Sequence, residues 1–196
     1  MDFIILAGPQ AVGKMTVGQA LEKKLDAKLL YNHQTIDLFA DFLDYTAETF
    51  RLSELVRTEL FKAFVENKHT NKVKGIIFTV VVAFDLESDW QVLKEWLALF
   101  HKANANLYFV ELEANLNERL SRNKHEDRLK AKPSKRNLAF SENELLTSYE
   151  KHRLNSFEGE VKNRLPMVHY LKLNNTEQKP EETAEDIYQW MKGVKK

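Results

Sequence analysis

The sequence predicts one α/β domain, residues 1–196, in which a parallel β-sheet lies between layers of helices. Five apolar runs have the length of strands, and helical patterns alternate with them. The third run is continuously apolar, as in a strand that is buried on both faces. With 43% apolar and 30% charged residues in 196, the composition is that of a globular domain with a sizeable core.

The strands and helices follow from local patterns. Residues 52–60 carry leucine and valine at the spacing of one helix face, and the segment 179–192 starts with a proline and two acids and ends basic. Ser141 and Glu144 have the spacing of a capping box, which predicts a helix start at Ser141. The predicted strands are residues 3–7, 28–31, 75–84, 106–114 and 167–174.

Composition excludes several classes of protein. Basic and acidic residues balance at 29 each, so the net charge predicts neither a nucleic-acid partner nor a membrane partner. The absence of cysteine excludes a disulfide scaffold and a thiol nucleophile. No stretch approaches a membrane span, and the opening DFIILAG is too short for a signal peptide, so we expect a cytoplasmic protein. Monomer and homodimer both remain open.

The stretch GPQAVGKMT, residues 8–16, has the spacing of a phosphate-binding loop. It follows an apolar strand and precedes a helical pattern, so the backbone N–H groups, the helix dipole and Lys14 would converge on phosphates. The alternative is a glycine-rich turn that binds nothing. The predicted nucleotide contacts in this loop are Gly8, Gln10, Ala11, Val12, Gly13, Lys14, Met15 and Thr16.

The residue after the lysine departs from the usual loop. A Ser or Thr hydroxyl normally follows the lysine and holds Mg²⁺, but Met15 offers only a thioether, which has little affinity for that hard cation. Thr16 is the next hydroxyl and is the predicted metal contact in the loop.

With these residues the chain resembles the P-loop kinases of small molecules and nucleoside monophosphates, which include adenylate, shikimate and gluconate kinases. Adenylate kinases carry Gly-Lys-Gly-Thr here, so a missing hydroxyl directly after the lysine has a precedent. GPQAVGKMTVG with NHQTID also resembles bacterial shikimate-kinase-like ATP-binding proteins without an assigned substrate. The resemblance implies a three-layer P-loop NTPase fold with a lid, ATP and Mg²⁺, and transfer of the γ-phosphoryl group to a small-molecule acceptor. A nucleoside monophosphate kinase, and a nucleotide-binding switch that hydrolyses slowly or not at all, are the alternatives.

The acceptor is expected beyond the second strand, in the stretch YNHQTID. Shikimate and gluconate kinases place an Asp where this chain has His33, and Asp37 follows one helical turn later. Either side chain could take a proton from the acceptor. The alternative is that Asn32 and Thr35 cap a helix and His33 is a core residue.

Further contacts are implied by the resemblance. FRLSE resembles a segment with which shikimate kinases hold their substrate, so Arg51 and Glu54 are candidate acceptor contacts, with Arg57 one turn on. The alternative is the solvated face of a helix. Asp85, after the third strand, resembles a Walker B carboxylate that holds Mg²⁺ through water, or else caps a helix. VVVAFDLES replaces the glycine-rich turn of shikimate kinases, which argues against shikimate as the acceptor.

Residues 119–136 hold eight Lys or Arg and two acids, at the point where these kinases insert a lid. We predict a lid at about 119–140, with Arg119 and Arg122 on the nucleotide and Arg128 stabilising the transferred charge. Arg136 and Arg153 are predicted acceptor contacts. A solvated basic loop or a weak nucleic-acid patch is the alternative, but only His125 could stack on a base.

Overall fold

The computed structural model describes residues 1–132 and 135–194, and five parallel strands in it form one sheet in the order β2-β3-β1-β4-β5. The strands predicted from the sequence are all present. Because every strand is parallel to its neighbours, all five carboxyl ends meet at one edge. The strands are β1 (Asp2–Ala7), β2 (Ala27–Tyr31), β3 (Gly75–Val80), β4 (Asn106–Glu113) and β5 (His169–Asn174).

Helices cover both faces of the sheet, as the three-layer prediction requires. In one core, Phe3 of the sheet packs with Phe61 and Phe100 of two helices, and in the other, Ile4 of the sheet packs with Val17 and Ile187 of two further helices. None of the described helices is both long and apolar enough to cross a membrane. The helices are α1 (Lys14–Glu22), α2 (His33–Leu43), α3 (Ala47–Glu66), α4 (Glu87–Lys102), α5 (Leu116–Asn123), α6 (Glu126–Ala131), α7 (Leu138–Lys151), α8 (Glu160–Arg164) and α9 (Pro180–Val194).

Strand β3 is four residues shorter than the apolar run predicts. It ends at Val80, although the run continues to Phe84. The Phe84 amide donates to the Arg153 carbonyl at 2.8 Å, and the Ala83 amide donates to the Asp89 carboxylate at 2.9 Å. These residues are therefore buried by a connection above the sheet edge rather than by the sheet.

Helix α7 starts three residues before the predicted capping box. The Asn137 side chain accepts the Phe140 amide at 3.1 Å and so satisfies the helix N-terminus. The Ser141 hydroxyl is instead buried against the Asn123 side chain at 3.1 Å, and Glu144 pairs with Lys135. The capping prediction was wrong because asparagine caps as well as serine, and the earlier cap was overlooked.

Helix α3 confirms the predicted helix but not its buried face. The leucine and valine side chains at Leu55, Val56 and Leu60 are exposed. The buried face runs through Ser53, Arg57, Phe61 and Phe64. Because Ser53 and Arg57 are polar, the hydrophobic periodicity indicated the wrong side of the helix.

The predicted lid segment, 119–140, is mostly helical in its described part. It contains the end of α5, all of α6 and the start of α7. Residues 133 and 134 lie outside the described residues.

Candidate functional site

A cavity of about 650 Å³ lies at the carboxyl edge of the sheet. Its walls come from the loop after β1, the start of α2 after β2, Thr79 and Val81 at the end of β3, and Asn175 after β5. Ligands of open α/β sheets bind at this edge because the loops that leave the strands converge there. The predicted lid segment adds a further wall through Arg128, Lys132 and Lys135.

The phosphate loop turns sharply between β1 and α1 because three of its residues take positive φ angles. These are +140° at Gly8, +60° at Ala11 and +101° at Gly13. Ala11 is the unusual member, since residues with a Cβ seldom adopt this conformation outside functional sites. Helix α1 begins directly afterwards at Lys14, so its unpaired N–H groups and its dipole face the cavity that the loop lines.

Gly8 allows no side chain. A Cβ at this position would lie 2.4 Å from the Leu112 carbonyl oxygen, and its φ is one that only glycine adopts readily. We expect Gly8→Ala to lower the free energy of unfolding by about 1–3 kcal/mol or more, measured by denaturant titration. Gly193→Ala is the control, because a Cβ there meets nothing within 4 Å and alanine is readily accepted in the last turn of a helix. Equal stability of Gly8→Ala and the parent would contradict this loop geometry.

The Lys14 ammonium lies at the centre of the loop. It donates to the Gly8 carbonyl at 2.5 Å and to the Pro9 carbonyl at 2.8 Å, and no carboxylate in the described part of the chain pairs with it. Burial lowers the pKa of Lys14 well below its ordinary value, and nearby cations lower it further. These cations are Lys132, Arg128 and Arg119. Such uncompensated positive charge fits a ligand with several negative charges.

Two arginines from α5 hold the loop backbone. Arg119 Nε donates to the Gln10 carbonyl at 2.9 Å, and Arg122 Nη1 donates to the Val12 carbonyl at 3.1 Å. Asn175 Nδ2 donates to the same Val12 carbonyl at 3.0 Å. The residues predicted as nucleotide contacts therefore also fix the shape of the loop. Asn175 was missed, since nothing in its local sequence relates it to a loop 163 residues away.

Two buried donors beside the loop have no hydrogen-bond partner among the described residues. They are Nη2 of Arg119 and Nε of Arg128. Buried polar groups are nearly always paired, so an unpaired donor here indicates a missing acceptor. Phosphate oxygens supply such acceptors. The glycine turn, Lys14 and Arg128 line the cavity and therefore fit the triphosphate of a nucleotide, whereas Arg119, a predicted nucleotide contact, lies outside the cavity lining.

The donors for a metal ion are sparse. Within residues 1–132 and 135–194, no group of three His, Asp or Glu side chains could hold an ion. The Thr16 hydroxyl lines the cavity and donates to the Gly13 carbonyl at 2.9 Å, and the buried Met15 side chain packs in the core. Mg²⁺ commonly binds to nucleotide phosphates through few protein ligands, and this donor set fits that arrangement.

Asp85, the predicted Walker B carboxylate, lies outside the cavity lining. It is exposed, accepts the Arg153 amide at 2.9 Å and lies 3.2 Å from Nδ1 of His152. It lies away from the loop because β3 ends at Val80 and the next residues leave the sheet. The structure does not bring it to Thr16, and its metal role remains a prediction.

His33 and Asp37 form a pair at the start of α2. His33 Nδ1 lies 3.0 Å from Asp37 Oδ1, which also accepts the Tyr45 hydroxyl at 3.1 Å. Burial lowers the pKa of His33 below its usual 6.5, an effect that the bond to Asp37 partly opposes. The imidazole is thus neutral at pH 7. If Nδ1–H donates to Asp37, Nε2 is a free base.

Arg57 lies behind this pair, in the buried face of α3. Its guanidinium donates to the Asn32 side chain and, at 2.9 Å, to the Ser53 carbonyl. Burial lowers its pKa to about 10. The Asn32 amide in turn donates to the Thr79 hydroxyl at 3.2 Å. Arg57 was predicted to contact the acceptor, but its donors instead hold Asn32, which precedes His33 and lines the cavity.

Arg51 and Glu54 are not brought to the cavity. Both are exposed on α3, and the Arg51 guanidinium pairs with Glu48 on the same helix at 2.6 Å. They lie on the outer face of α3 because its inward face runs through Ser53 and Arg57. Their predicted role in acceptor binding is not supported by this placement.

Arg136 and Arg153 also have other partners. Arg136 is exposed and donates to the Leu129 carbonyl at 3.2 Å. Arg153 pairs with Glu160 at 2.6 Å and lies over the Phe157 ring at 3.9 Å. Neither belongs to the cavity lining, so the structure does not place them as acceptor contacts.

From the sequence, contacts were predicted only for the arginines of the basic segment, and two of its lysines were missed. Lys132 and Lys135 line the same cavity as Arg128 and His33, and both are close enough to His33 for their charges to lower its pKa. Their position in the basic run was the available signal. Arginine was preferred because it pairs two phosphate oxygens at once.

Comparison with solved structures shows which fold this is. A candidate kinase from Chloroflexus aurantiacus is 16% identical with a TM-score of 0.61, covering 98% of this chain and 96% of that one. Shikimate kinase from Acinetobacter baumannii in complex with shikimate is 18% identical with a TM-score of 0.57, covering 100% and 95%. The Mycobacterium tuberculosis APS kinase CysC in complex with AMPPNP and APS is 11% identical with a TM-score of 0.53, covering 97% of each chain. No family model matches the sequence, and a search of curated proteins finds no match. The chain thus has the fold of the shikimate-kinase-like P-loop kinases.

Proposed function

We propose that this protein is an ATP-dependent phosphotransferase that moves the γ-phosphoryl group of ATP to a hydroxyl or phosphate of a small molecule. The observation that carries this proposal is that one cavity contains both the phosphate loop with Lys14 and the imidazole of His33. The similar structures support it, since two of them hold a small-molecule ligand and one of these also holds an ATP analogue.

On the nucleotide side, the loop would bind the phosphates of ATP through its N–H groups and through Lys14. The Arg128 guanidinium, with its unpaired Nε, would neutralise the charge that develops on the transferred group. Arg119 and Arg122 hold the loop carbonyls from behind and keep this arrangement in place. The Thr16 hydroxyl is the loop side chain that would hold Mg²⁺, which when bound would help to neutralise the charge of the phosphates.

On the acceptor side, His33 would remove the proton. An acceptor oxygen attacks the γ-phosphorus, the bond from that phosphorus to the ADP oxygen breaks, and the acceptor's proton passes to Nε2 of His33. Asp37, bonded to Nδ1, orients the ring and stabilises the imidazolium. The Tyr45 hydroxyl in turn holds Asp37.

A nucleotide-binding switch is the main alternative of a different class. Such a protein needs no group to deprotonate an acceptor. A half-buried histidine with its own carboxylate, lining the same cavity as the phosphate loop, has no role in a switch. This pair therefore favours transfer over slow hydrolysis.

A transfer screen tests the proposal directly. The full chain would be incubated with γ-labelled ATP, Mg²⁺ and fractionated pools of metabolites and nucleotides. We expect label in one small-molecule product, and none when Lys14→Ala replaces the parent. Label released only as inorganic phosphate, in every pool, would contradict the proposed function and favour the switch.

The metal hypothesis concerns Met15 and Thr16. The Met15 side chain is buried, so Met15→Leu keeps its packing and removes only the sulfur, and we expect its Mg²⁺ dependence to match the parent. Thr16→Val removes the hydroxyl that lines the cavity and should lower activity by about 10-fold or more at limiting Mg²⁺. Activity is measured against Mg²⁺ concentration for both variants. A collapse in Met15→Leu beside a normal Thr16→Val would reject this arrangement.

A further inference from the structure

The cavity contains more positive charge than the nucleotide phosphates alone explain. Lys14 and Arg128 lie with the phosphate loop, and Arg122 is already paired with Glu118 at 2.7 Å. Lys132 lies between the phosphate loop and the acceptor half, since its charge acts on both Lys14 and His33, and the charge of Lys135 acts on His33. We therefore ask which negatively charged group the two lysines would bind.

The two lysines are held differently. The Lys135 amide donates to the Lys132 carbonyl at 2.9 Å, so the backbones of the two lysines lie close together. The Lys135 ammonium is buried and pairs with Glu144. No hydrogen bond or ion pair within the described ranges holds the Lys132 ammonium, although burial and neighbouring cations lower its pKa to about 7. Lys132 is half-buried, and the carboxylates of Asp37 and Glu144 act on it only from a distance, so its ammonium can accept a bound anion as a direct partner.

The two arginines of α3 that were predicted to bind the acceptor are not available to its negative group. Arg51 is exposed and paired with Glu48, and Arg57 is buried and bonded to Asn32 and Ser53. Ile36, Tyr45 and Phe50 add apolar and aromatic side chains to the acceptor half of the cavity. Within the described part of the chain, the cations whose charges act on His33 are Lys132 and Lys135, so an anion bound near His33 would find its counter-charge there.

We propose that the acceptor carries a carboxylate or phosphate besides the group that is phosphorylated, and that Lys132 binds this anion, with Lys135 beside it. This inference rests on the proposed function and specifies its substrate class. The Glu144 carboxylate fixes Lys135, so Lys132 is the residue that responds to the acceptor. Its position across the cavity from α2 would hold the acceptor between the anion site and His33.

The test measures binding separately from transfer. The protein is loaded with AMPPNP and Mg²⁺, and ligand-observed NMR follows hydroxy acids, sugar phosphates and nucleoside monophosphates. Each is compared with its neutral counterpart, an amide, a free sugar or a nucleoside. We expect binding of anionic members only, and at least 10-fold weaker binding to Lys132→Gln. Lys130→Gln is the matched control, because Lys130 is exposed on α6 and pairs with Glu126 at 3.3 Å.

The outcomes distinguish the two proposals. Equal binding of a neutral counterpart, equal binding by Lys132→Gln and the parent, or no binding of any anionic member would overturn the anion site. AMPPNP affinity should stay within about twofold in Lys132→Gln, and a loss as large as that for the acceptor would assign Lys132 to the nucleotide instead. Anion binding that depends on Lys132, without transfer of label from ATP, would retain this site and reject the phosphotransferase.

Discussion

Replacing Lys14 with alanine should lower phosphoryl transfer by about 10³-fold or more and weaken ATP binding. The Lys14 ammonium lies in the bend of the phosphate loop, where its hydrogen bonds among the described residues go to the carbonyls of Gly8 and Pro9, and partial burial lowers its pKa. In the proposed function it would bind the β- and γ-phosphates, and the remaining loop residues carry no charge that could replace it. Calorimetric titration with AMPPNP measures the binding loss, and labelled ATP measures transfer.

The matched control is Lys23→Ala, which removes an exposed ammonium at the other end of the same helix. It should bind AMPPNP and turn over like the parent. Lys14→Met serves as a second variant, because its unbranched side chain fills the same space without a charge. Unchanged AMPPNP affinity in both Lys14 variants would remove the phosphate-loop assignment altogether.

The phosphate loop was the part of the site that the sequence predicted best. Its function depends on contiguous residues, and the strand before it and the helix after it have clear patterns of their own. The pairing of His33 with Asp37 was predictable for the same reason, since residues four apart share one face of a helix.

The rest of the site was beyond prediction because it depends on tertiary contacts. Asn175 reaches the loop from the end of β5, and Lys132 reaches the cavity from the predicted lid segment. Arg57 was predicted to contact the acceptor because it lies one helical turn after Glu54. The inward face of α3 is partly polar, so the periodicity of hydrophobic residues could not distinguish the buried side of this helix from the exposed side. Asp85 was predicted as a Walker B carboxylate because it follows the apolar run that predicts β3. The strand ends before that run does, so Asp85 does not lie at the end of the strand.

The acceptor chemistry gives the second large effect. We expect His33→Asn to lower kcat by about 10²- to 10⁴-fold, the usual contribution of a general base, while AMPPNP affinity changes little. Asp37→Asn should lower kcat less, because the amide oxygen can still accept the Nδ1 proton but cannot stabilise the imidazolium by charge. His69→Asn and Asp41→Asn are the controls, since both residues are exposed.

The pH profile separates a base from a structural histidine. His33 acts as a base only when neutral, so kcat should hold at neutral pH and fall as the pH drops through its pKa, which burial places below 6.5. Asp37 raises that pKa through its hydrogen bond and its charge, so Asp37→Asn should move the acid limb of the pH profile to still lower pH.

His33→Asn should lose the acid limb of the pH profile entirely. If the limb stays in place in His33→Asn, another group takes the proton. If His33→Asn and Asp37→Asn both turn over at the parent's rate, the pair has only a structural role at the start of α2.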